Sequence, residues 1–214
     1  MSMRLRLLSI KTSSEPFLSA IWILLGVIFI GSASMYGVPM MWHTFLAEIS
    51  AFIMIGLMFI KASDVTAGLA TIGSLVWLAN QYQQFGYVEP NQSILLMTAI
   101  VNLFLLVIAL YAYSNMSGTR SFRGIQVFPI LIMLVYGFWK VYLDFVTFGT
   151  SGIYSFSGGL WATGISLISF ATILSIITKP TGIQRNAFRF IAVIGLIIAA
   201  YAAMAYGQWL SVIH

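Results

Sequence analysis

The sequence predicts an all-α polytopic membrane protein with seven transmembrane helices, and three observations carry that prediction. The chain is 60% hydrophobic and only 7% charged over 214 residues, where a soluble domain carries about 25% charged residues. Its apolar residues gather into seven runs, each close to the roughly 20 residues that an α-helix needs to cross a bilayer. Nine of its ten lysines and arginines fall on, or at the run ends beside, connections that seven crossings place on one side.

The runs are 17–36, 43–62, 65–84, 93–114, 125–148, 155–178 and 188–212. The first follows Arg4, Arg6 and Lys11. A secretory signal has the same basic flank, but its apolar core is shorter, so a retained span is expected. The second opens after the breaker Gly37-Val38-Pro39 and closes on Lys61. The third follows a short polar turn and ends among the amides Asn80, Gln81, Gln83 and Gln84. The fourth begins after Glu89-Pro90-Asn91 and carries Asn102 at its middle. The fifth follows Arg120, Arg123 and Gly124, holds Lys140 and Asp144, and stops at Gly149. The sixth runs to Lys179-Pro180-Thr181-Gly182. The seventh starts beyond Arg185 and contains no lysine, which disfavours a retinal Schiff base of the microbial-rhodopsin kind.

The basic residues set the orientation. The N-terminal tail, the second, fourth and sixth connections and the run ends beside them hold every lysine and arginine except Lys140. Lysine and arginine mark the cytoplasmic side. The N-terminus is therefore expected inside and the C-terminus outside, in a bacterial-type cytoplasmic membrane. The net charge of +5 belongs to this topology, and no nucleic-acid partner is expected.

Composition also excludes chemistry. The chain has no cysteine and only two histidines, His43 and His214. Disulfides, thiolate metal sites, iron–sulfur clusters and cysteine nucleophiles are ruled out. No metal site and no cofactor is predicted.

Two stretches suggest an internal repeat. Residues 44–64 and 159–182 each form a long apolar run closing on a lysine, then a polar turn and another run. Four runs finish in an aromatic–glycine pair: Tyr36-Gly37, Phe85-Gly86, Phe148-Gly149 and Tyr206-Gly207. Interface aromatics and glycine caps explain such pairs without duplication. The sharper reading joins residues 17–87 as a first three-helix unit to residues 125–212 as a second. Residues 93–114 then form a connector whose single crossing leaves the two units parallel, all within one transmembrane domain, 1–214.

Ionisable and amide groups inside a bilayer are costly, so they are the candidates for function. Lys140 and Asp144 stand four apart and can pair on one helical face. They form either a self-neutralising pair or one wall of a solute cavity. Trp77, Asn80, Gln81 and Gln84 share a face by their spacing. Amides that donate and accept, beside an indole that stacks, suit a neutral polar ring, although an outer headgroup position explains them equally. Asn102 needs a partner at mid-bilayer, either a neighbouring helix or a solute. Trp139 joins the set on the fifth run. Trp161 and Trp209 read as interface anchors. Glu48, Lys140 and Asp144 could in principle do acid–base work, but no motif places them together, and no enzyme is predicted.

The stretch from Glu48 through Lys61-Ala62-Ser63-Asp64 to Trp77-Leu78-Ala79-Asn80-Gln81-Tyr82, ending at Phe85-Gly86-Tyr87, resembles the first triplet of the Pnu-type vitamin-precursor transporters. That family includes nicotinamide riboside carriers and is related in architecture to the SWEET sugar transporters. The resemblance covers about 70 residues, the first three-helix unit as a whole. The second half lacks the tryptophan-rich stretch of that family. The resemblance implies a 3+1+3 arrangement and passive carriage of a nucleoside-like precursor by alternating access. Trp77, Asn80, Gln81, Gln84, Asn102, Trp139, Lys140 and Asp144 are the expected substrate contacts. The alternative expectation is a non-catalytic integral subunit of a larger membrane complex. The expected partners are the lipid bilayer, a small-molecule substrate, and either a second copy or other complex subunits.

Overall fold

The computed structural model describes residues 16–35, 42–60, 64–82, 100–101, 104–105, 107–108, 111, 123–149, 159–178 and 180–213. These residues form an all-helical protein with six helices: α1 (Pro16–Met35), α2 (Trp42–Ile60), α3 (Asp64–Tyr82), α4 (Arg123–Phe148), α5 (Gly159–Thr178) and α6 (Gly182–Ile213). Between α3 and α4, the described residues of the predicted fourth run are also helical. Three helices contain stretches long and apolar enough to cross a membrane: Gln126–Val146, Gly159–Thr178 and Gly182–Ala205. The other three carry shorter apolar stretches among the described residues.

Local chemistry explains the element ends. Pro16 stands at the first position of α1, where its missing N–H costs no helical bond. Gly149 ends α4 with a φ of 65°, and its N–H donates to the Phe145 carbonyl at 2.8 Å. That left-handed turn is the glycine cap expected of the Phe148-Gly149 pair. Tyr206-Gly207 differs. The backbone remains helical through both residues to Ile213, so this pair does not end a helix. The pairs at Tyr36-Gly37 and Phe85-Gly86 lie outside the described residues.

α6 also starts earlier than hydropathy suggests, at Gly182 rather than residue 188. Residues 183–187 include Gln184, Arg185 and Asn186, which lower hydropathy without breaking a helix. The edge of an apolar run and the edge of a helix are different things.

The helices form a closed circuit in chain order. Each packs on its sequence neighbour, α3 packs on α4, and α6 returns to α1; α2 also touches α4 across the interior. α1 and α2 are antiparallel. Ser19 Oγ donates to the Gly56 carbonyl at 2.8 Å, Trp22 stacks on Phe52 at 6.0 Å, and Gly26 faces Ile49. α5 and α6 are antiparallel too, with Gly164 against Ala199 and Gly195 against Ile168. Phe17 in the first turn of α1 lies 5.3 Å from the Arg189 guanidinium of α6. The N-terminal ends of α1 and α6 therefore share one end of the bundle.

The exterior is apolar. Leu24, Val27, Leu75, Val135, Phe138, Phe170 and Ile197 are all exposed, a surface too large and oily for water. Inside, hydroxyls turn back on their own helices: Ser74 bonds the Ala70 carbonyl, Ser166 the Ala162 carbonyl and Thr172 the Ile168 carbonyl. This satisfies buried polar groups without water.

Candidate functional site

Aromatic residues fill the middle of the circuit, and five helices each supply one. Trp22, Phe52, Trp77, Tyr136 and Trp161 come from α1 to α5 in turn, and all are at most 8% exposed. Phe52 lies 5.9 Å from Trp77 and 6.0 Å edge-on from Trp161. Trp77 meets Tyr136 edge-to-face at 4.5 Å, and Tyr136 meets the half-buried Trp139 at 6.3 Å. Such pairs add about 0.5–1.5 kcal/mol each beyond burial. Trp22 Nε1 is held at 3.3 Å by the Thr172 hydroxyl.

One turn beyond Tyr136, toward the C-terminal end of α4, Lys140 and Asp144 form a buried ion pair. They are 5% and 3% exposed. The same α4 face buries Gln126, Ile130, Met133, Tyr136, Lys140 and Asp144, a helical repeat that aims the pair inward. Lys140 takes one carboxylate oxygen. The other, Asp144 Oδ2, has no hydrogen-bond partner among the described residues, and the same holds for Trp77 Nε1. A buried polar atom left unmatched costs about 1–3 kcal/mol. Among the described residues these two atoms, an acceptor and a donor, are the unsatisfied groups of the α3–α4 wall.

The predicted contacts divide accordingly. Trp77, Trp139, Lys140 and Asp144 come together on the α3–α4 wall. Asn80 and Gln81 belong to α3, one turn past Trp77, and their side chains are outside the described set. Gln84 and Asn102 lie outside the described residues. So do the side chains of Glu48, His43 and Trp209.

Trp161 is not an interface anchor. It sits in the core against Phe52, because hydropathy cannot distinguish an indole at the headgroups from one at a helix crossing. Tyr136, Phe52 and Trp22 were not predicted. Tyr136 carried a usable signal, since it precedes Lys140 by four residues and Asp144 by eight.

Among the described residues no group of three or more His, Cys, Asp or Glu side chains is placed to hold a metal ion. Comparison with protein-family models, curated proteins and solved structures finds no match.

Proposed function

We propose that this chain is a membrane transporter that carries a small polar, nucleoside-like vitamin precursor by alternating access. The observation that carries the reading is the buried Lys140–Asp144 pair beside the Trp77–Tyr136 contact, with an unsatisfied carboxylate oxygen and an unsatisfied indole N–H. A purely structural core would be more stable with apolar residues in place of the ion pair.

The helix directions support seven crossings and a 3+1+3 plan. α1 and α6 start at one end, and α2 and α5 run against them. Residues 61–63 are too few to recross a bilayer, so α3 runs with α1. If α4 runs against α5 as its neighbour, then α3 and α4 are parallel, the relation that two units joined by a single crossing require. In that register Asn80 and Gln81 stand level with Lys140, since each lies one turn beyond the Trp77–Tyr136 contact.

The test is uptake of labelled nucleosides into vesicles bearing the purified chain. Replacing Asn80 or Gln84 with alanine should abolish uptake while expression persists; unchanged uptake in both would remove the site. A second reading, a non-catalytic subunit of a membrane complex, is favoured by the exposed aromatic face of α4 (Phe128, Phe138, Tyr142, Phe145). Obligate co-purification with other chains would select it.

A further inference from the structure

We draw no further inference here: the strongest candidate, the buried Lys140–Asp144 pair on the inward face of α4 with its unmatched Asp144 Oδ2, belongs to the site already described, and nothing in the structure shows what would meet it.

Discussion

Gly164 of α5 and Gly195 of α6 face each other backbone to backbone. A Cβ at Gly164 would lie 2.6 Å from the Gly195 carbonyl oxygen, and one at Gly195 would lie 2.7 Å from the Gly164 carbonyl oxygen. Small residues are what allow two membrane helices to approach this closely. Gly164→Val or Gly195→Val should therefore push the helices apart and destabilise the protein by about 1–3 kcal/mol, as overpacking does. Gly68→Ala is the contrast. Nothing lies within 4 Å of a Cβ there, and alanine should stabilise α3 by about 0.5–1 kcal/mol. Unfolding midpoints of the three variants check both signs.

The ion pair makes a second prediction. Asp144→Asn alone leaves Lys140 charged and buried and should cost about 3–5 kcal/mol. Lys140→Met/Asp144→Leu removes both charges and should recover most of that loss, or exceed the wild type. A double variant as unstable as the single one would mean that the two residues do not neutralise each other.

Trp22 and Thr172 join α1 to α5 across the interior by a hydrogen bond. Thr172→Val keeps the shape and strands the indole N–H. The expected cost is about 1–3 kcal/mol, read as a lower unfolding midpoint. Trp22→Phe combined with Thr172→Val should be less than additive, since the interaction can be lost only once.

Orientation is testable because the native chain has no cysteine. Single cysteines at Ser13 and Ser121 should react with an impermeant thiol reagent only when the cytoplasmic side is opened. Cysteines at Gln92 and Ser151 should react in intact cells. Labelling of Ser121 and Ser13 from opposite sides would break the seven-crossing topology.

Much of this architecture was legible in residue order alone. The ends of α1, α2 and α3 fall within two residues of the apolar runs, because in lipid a helix's apolar length is set by the bilayer. The Lys140–Asp144 pair was legible because four residues make one turn. The meeting of Trp77 with Tyr136 was not. Which residues of two neighbouring helices touch depends on how each is rotated and how deep it sits, and hydropathy carries neither. Trp161 was misplaced for the same reason. The early start of α6 was missed because polar residues extend a helix past the oily layer without marking the seam.

α6 has 32 residues, about 48 Å of helix, against a hydrocarbon layer near 30 Å. Even with ordinary tilt, a turn or more must project as a rigid mast beyond the oily zone. Its N-terminal end carries Arg185 and Arg189 and no acid in the first turn, a placement that the helix dipole itself opposes. Contacts inside the protein offset it: Arg185 donates to the Pro180 carbonyl, and Arg189 lies over the Phe17 ring. The surplus length of α6 thus gives its first turns room to latch onto the start of α1.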